Sequence, residues 1–299
     1  SQIRREMRKS EQYKARDEFL SEIETLTLEP SYDDGPGLSV LVGKMWDAWQ
    51  EFSMNPEDSN TRTGVVQATK TVTDTMNNIY EQLEGLNTHS NDLARSKVYD
   101  FNTTISEIEI LNGQILSVKA ADQEPNDLLD KQDLLIDKLS SMINIDVHRD
   151  DYDRVTITTK DEDKGDITLV GDGKQSLSFV EGLAVNADGT GTLKYSINGD
   201  LKKTTTADID KDKVAGFEGA KLIWIDGNGK ISSKADTESG SIEGYLSVTN
   251  DITGYQDKLN ALAKAIAYSV NMLHNDGYKC GVPASPEVPA PLVPALPYP

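Results

Sequence analysis

The apolar positions of this chain of 299 residues change their period from helical to strand-like and back again. Residues 1–60 read as short helices, broken at Pro30, at Asp34-Gly35-Pro36-Gly37 and at Asn55-Pro56. Between the last two breaks, Leu38, Leu41, Val42, Met45, Trp46, Trp49 and Phe52 recur at helical spacing and make one apolar face. No proline follows from Arg62 to Val118, where Val72, Met76, Ile79, Leu83 and Leu86 step alternately by four and three, a heptad seam. Polar residues Asn87 to Asp92 interrupt the seam, which resumes with Val98, Phe101, Ile105, Ile108, Leu111 and Ile115. At about 1.5 Å per residue this stretch predicts a rod of roughly 85 Å, with Gly85 and Gly113 as places for a kink.

Pro125 closes the next loop, and Asn126 or Asp127 is expected to cap a helix with Leu128, Leu129, Leu135, Ile136, Leu139, Met142 and Ile143 facing inward. At Ile145 the pattern changes. Val155-Thr-Ile-Thr, Ile167-Thr-Leu-Val, Leu193-Lys-Tyr-Ser-Ile and Leu222-Ile-Trp-Ile read as strands. Asp172-Gly173, Asp188-Gly189, Asn198-Gly199 and Asp226-Gly227 are the turn signals between them. Helical spacing returns after Gly240 with Val248, Ile252, Tyr255, Leu259, Leu262, Ile266, Val270 and Leu273. Two seams of one period flanking a β insert should pack antiparallel.

The predicted fold class is therefore α+β, an elongated antiparallel bundle of long helices with an inserted β-rich domain. Residues 1–144 form the first part of the bundle, 145–240 the insert, 241–280 the returning helix and 281–299 an extended proline-rich tail. The bundle seam is expected to rest on Val72, Met76, Ile79, Leu83, Ile105, Ile108, Leu139, Ile252, Leu259, Leu262 and Ile266, with Trp46 and Trp49 as structural aromatics.

Charge and chemistry narrow the functions. Thirty basic against 50 acidic residues argue against nucleic acid as a partner, since phosphates are held by clustered Lys and Arg. One cysteine, Cys280, leaves no intramolecular disulfide. Ser1 to Lys14 is charged and lacks the apolar run of a signal peptide, and no stretch is long enough to span a membrane. His89, His148 and His274 belong to no metal or nucleophile motif and read as surface residues. Asp208, Asp210 and Asp212 have the alternate spacing of a calcium loop, but Lys213 stands where its glycine belongs. Ile225 to Ile231 lacks the first and last ligands of such a loop and reads as a hairpin turn, and Asp150, Asp151 and Asp153 as a solvated turn. Gly171 to Lys174 is too short for a phosphate loop, and no GxSxG elbow occurs. No catalytic, cofactor or metal residue is assigned.

Three segments in order carry a family resemblance. Met45-Trp-Asp-Ala-Trp-Gln-Glu-Phe-Ser-Met-Asn-Pro-Glu57, the helix from Asn126 to Val147, and the return from Gly244-Tyr-Leu246 through Leu259-Asn-Ala-Leu-Ala263 to Val270–Tyr278 resemble the hook-associated proteins of the bacterial hook–filament junction. The resemblance implies a structural, non-enzymatic subunit that joins hook to filament and transmits torque. It implies export through the flagellar type III channel to an extracellular position, without a cleaved signal. Hook protein, a second junction protein or flagellin, and an export chaperone are the implied partners, and the family's terminal helices drive self-assembly. This chain departs from the pattern there: it starts inside it, and the proline-rich tail stands where the last helix would be, so a fragment that stays monomeric is expected. Flagellin or another axial protein, an adhesin carried by the β domain, and a secreted hydrolase are the alternatives; the Asn126–Val147 segment and the Trp46/Trp49 pair favour the junction family.

Overall fold

A computed structural model describes residues 2–27, 37–161, 165–200, 202–235 and 237–278. The breaks expected at Pro30 and at Asp34 to Pro36, the tail from Gly281, and Cys280 lie outside them. The chain divides into two units, Ser1–Tyr255 and Gln256–Pro299.

The first unit is α+β. Its helices are α1 (Gln2–Thr27), α2 (Leu38–Met54), α3 (Ser59–Ala120), α4 (Asn126–Met142), the short α5 (Lys211–Phe217) and the opening turns of α6 (Ser241–Tyr278). Where short helices are expected at the start of the chain, α1 is a single helix of 26 residues. Its buried stripe is Ala15, Phe19 and Ile23, one apolar residue per turn among charged ones, and so sparse a stripe gives no heptad signal.

Helix α3 runs for 62 residues, about 93 Å, without a break at Gly85, Gly113 or the polar stretch Asn87 to Asp92. Asp58 caps it by accepting from the Asn60 backbone N–H at 2.8 Å. Through the polar stretch the seam is carried by small residues. Ser90 and Ala94 are fully buried, and the Ser90 hydroxyl donates to the Tyr245 carbonyl of α6 at 2.6 Å. Small side chains let a neighbouring backbone come close, which an apolar pattern does not register. Helix α4 starts at Asn126, but its cap is Pro125, whose carbonyl accepts from the Leu128 and Leu129 N–H groups, and no side chain caps it.

Among the described residues, eight strands make two antiparallel sheets. β1 (Asp146–Arg149), β2 (Val155–Asp161) and β3 (Gly165–Val170) form one in that order. β4 (Gln175–Val185), β5 (Gly191–Ser196), β6 (Thr204–Ile209), β7 (Leu222–Asp226) and β8 (Ile231–Lys234) form the other, in the order β6-β5-β4-β7-β8. The four strands read from sequence are β2, β3, β5 and β7, and each of the four turn signals joins two successive strands. Strand β7 is apolar at successive positions because both faces are covered: Leu222 and Trp224 join the core under α3 and α4, while Ile223 and Ile225 join a second core with Val214 of α5.

Candidate functional site

The chemistry-bearing residues are dispersed. His89, exposed on α3, leans its ring on Phe19 at 5.4 Å. His148 is exposed on β1, and His274 lies on α6. Asp208 lies one residue before the end of β6, Asp210 precedes α5 and Asp212 sits in its first turn, where a carboxylate suits the helix dipole. Asp226 closes the β7–β8 hairpin by accepting from the Asn228 and Lys230 N–H groups, both at 2.9 Å. Asp150 likewise accepts from the Tyr152 and Arg154 N–H groups at 2.9 Å. Its burial would raise its pKa, but those bonds and the Arg154 guanidinium outweigh this and hold it below the usual carboxylate value. Among the described residues, no group of three or more His, Cys, Asp or Glu could hold a metal ion.

What the fold does bring together is a mechanical framework on α3. Along its first half, α2 packs against it, with Met45, Val65, Val72 and Met76 buried. Trp46 and Trp49 of α2 are half-buried, and Trp49 meets Phe52 edge-to-face at 6.2 Å. At mid-length Leu83 joins Phe19 and Ile23 of α1 and Val248 and Ile252 of α6 in one apolar cluster, with Ile79 partly buried beside it. Toward the C-terminus Ile105 and Ile108 share a core with Leu139 of α4 and with β2, β3, β4 and β7. Leu259, Leu262 and Ile266 fall in the second unit, where Leu262 is 39% exposed.

Directional bonds fix these packings. Arg4 of α1 pairs with Asp137 of α4 at 2.7 Å, and Arg8 donates to Asn144. Arg16 holds Asp251 of α6 through two bonds of 2.9 and 3.0 Å. Asn102 of α3 donates its amide to the Leu177 carbonyl at 2.8 Å and accepts from the Leu177 N–H at 3.0 Å. Asn112 does the same for Val155, at 2.8 and 2.9 Å, and also accepts from Gln132 at 3.0 Å. The 3-10 turn at Ile197–Gly199 lies directly on α3: Gly199 has φ +77, and a Cβ there would overlap the Tyr99 amide nitrogen.

Neither asparagine stands out in sequence, since each follows or precedes a seam residue and reads as ordinary helix surface.

Residues 20–283 match the model of the family described as "Flagellar hook-associated protein FlgK helical domain". The chain is 32% identical over 232 residues to flagellar hook-associated protein 1 of Bacillus subtilis, covering 73% of this chain and 44% of that protein. It is 25% identical over 281 residues to the protein of the same name in Salmonella typhimurium, covering 93% of this chain and 44% of the relative. The chain thus spans less than half the length of these relatives. In fold it is similar to the flagellar hook junction protein FlgK of Burkholderia pseudomallei, with a TM-score of 0.55 and 17% identity over 80% of this chain and 37% of that one.

Proposed function

Because the chain belongs to the family of the flagellar hook-associated protein FlgK, represented by its helical domain, we propose that it is part of a structural subunit that joins hook to filament and passes torque between them. The family match over residues 20–283 carries this reading. Physical sense supports it: a joint under torsion needs a member that does not bend, and a helix of 62 residues with apolar packing along its length is one. Each fully buried Leu or Ile contributes roughly 1.5–3 kcal/mol to holding the neighbours in place.

The role is mechanical, not enzymatic. In it, residues 1–144 and the opening turns of the returning helix form the bundle, residues 145–240 an inserted β-rich domain, and Val72, Met76, Ile79, Leu83, Ile105, Ile108, Leu139 and Ile252 the seam of the bundle. Leu259, Leu262 and Ile266 continue the apolar face of the returning helix. Hook protein on one side and a second junction protein or flagellin on the other are the partners, and the whole protein self-assembles after chaperone-assisted export to the outside of the cell. No helix among the described residues is long and apolar enough to cross a membrane. The relatives are named as hook-associated proteins, which favours this reading over flagellin or an adhesin.

Deleting the encoding gene in its bacterium tests the proposal. Cells should build hooks, fail to grow filaments and shed unpolymerised filament subunits into the medium, with the intact gene restoring filaments. Normal filaments on the deletion strain would overturn it.

A further inference from the structure

The bonds made by Asn102, Asn112 and Trp224 link three bodies in pairs. Asn102 ties α3 to β4 of the five-stranded sheet. Asn112 ties α3 to β2 of the three-stranded sheet. The Trp224 indole N–H on β7 donates to Asp161 at the end of β2, at 3.1 Å, and ties the two sheets to each other. Asn102, Asp161 and Trp224 are all buried.

Each asparagine stands where a ladder has run out. β5 pairs with β4 only from Phe179 onward, so at Leu177 that edge of β4 has no strand beside it, and the Asn102 amide takes the place of the missing rung. β3 pairs with β2 only as far back as Ile157, and at Val155 the Asn112 amide takes the next rung. A primary amide sets an N–H donor beside a carbonyl acceptor at the spacing of a peptide group, and its second N–H is free for another bond, which Asn102 makes to the Val98 carbonyl. An unpaired N–H and C=O at these positions would each carry a desolvation cost.

The two anchors lie ten residues apart on α3, hence about 15 Å along its axis and roughly 80° around it. A single anchor would leave rolling of the helix against the sheets resisted mainly by non-directional apolar packing. Two at different heights and azimuths stop both sliding and rolling, and the Trp224–Asp161 bond closes the third side.

We infer that Asn102 and Asn112 are coupling residues that, with the Trp224–Asp161 bond, lock α3 and both sheets into one rigid body, so that rotation of the long helix is transmitted to the β portion without slip. This device concerns the chain's own mechanics and stands whether or not the protein works at a junction.

Two readouts on the full chain test it. In N102A the Leu177 amide should exchange its hydrogen roughly tenfold faster or more, and in N112A the Val155 amide should do the same, with the amides of α3 itself unchanged. Spin labels placed at Tyr80 on α3 and Val185 on β4, in a C280S background, report the coupling directly, since both sites are exposed. The width of their distance distribution should grow roughly twofold in N102A/N112A while the helical signal is retained. Unchanged exchange at both amides, or a distribution as narrow as in the parent, overturns the inference. Should the double variant not fold, N112A decides alone, because Asn112 is only half-buried: an unaltered Val155 amide there is equally fatal.

Discussion

Ile108 and Ile110 stand two positions apart on α3, one fully buried and the other 61% exposed. Helical geometry puts them about 200° apart, so only the first faces α4 and the sheets. I108A should therefore lower stability by about 2–5 kcal/mol, through lost transfer energy and the cavity left behind, and I110A by no more than about 0.5 kcal/mol. Urea denaturation of the two variants checks this, and equal losses would mean that the seam is misplaced. At the same scale, burial raises the phenol pKa of Tyr195, and burial with Glu18 and Glu11 nearby raises that of Tyr245. Folding then favours the protonated phenol. The corresponding stability is intact below the ordinary tyrosine value of 10.0 and is lost as pH rises through the higher folded-state values. A melting temperature that declines above about pH 10, with a shallower decline in Y245F, is the expected result.

Among elements, the closest fit lies where the chain leaves the helices and comes back. Gly240, with φ +108, rests on the end of α4, and a Cβ there would overlap the Met142 carbonyl. Gly244, one turn into α6, packs on Gln12 and Ala15 of α1. The whole span from Asn144 to Ser239 is thus an excursion whose two ends touch. G240A combines an unfavourable backbone conformation with a backbone overlap and should cost more than about 3 kcal/mol, read as a fall in urea midpoint. That closure was half legible in sequence. The change of period at Ile145 and again after Gly240 marks both ends, because burial on one face imposes a period of two or of 3.6 on any strand or helix. The contact itself is a glycine against a carbonyl, with no side chain to give it away. The same limit hid other parts of the frame. α3 was readable from its seam, whereas Ser90 and Ala94 serve that seam by being small. β1, β6 and β8 are sheet edges with mostly polar sequences, which carry little alternation. β4 lies at the centre of its sheet and did alternate at Leu177-Ser178-Phe179, but Glu181 and Gly182, at the bulge, broke the run.

For the whole molecule the deciding quantity is charge. Fifty acidic residues against thirty basic ones leave a net charge of −20, so twenty carboxylates remain in excess even if every Lys and Arg were paired. Two opposing effects of salt follow. Ion pairs such as Arg149–Asp133 and Lys174–Glu109 are weakened by screening, but each is at the surface and worth at most about 1 kcal/mol. Repulsion among the excess carboxylates is also screened, and it is spread over the whole chain. Raising ionic strength from about 0.01 M to about 0.15 M shortens the Debye length from about 30 Å to about 8 Å, which removes most of the long-range repulsion and little of the contact attraction. Repulsion should therefore dominate the balance, and the melting temperature should rise with sodium chloride, by about 1.5–2 °C for each kcal/mol gained. Calorimetry across that range at neutral pH measures it. A melting temperature that falls instead would mean that the ion pairs between elements, Arg4–Asp137 and Arg16–Asp251 foremost, carry more of the frame than their exposure allows.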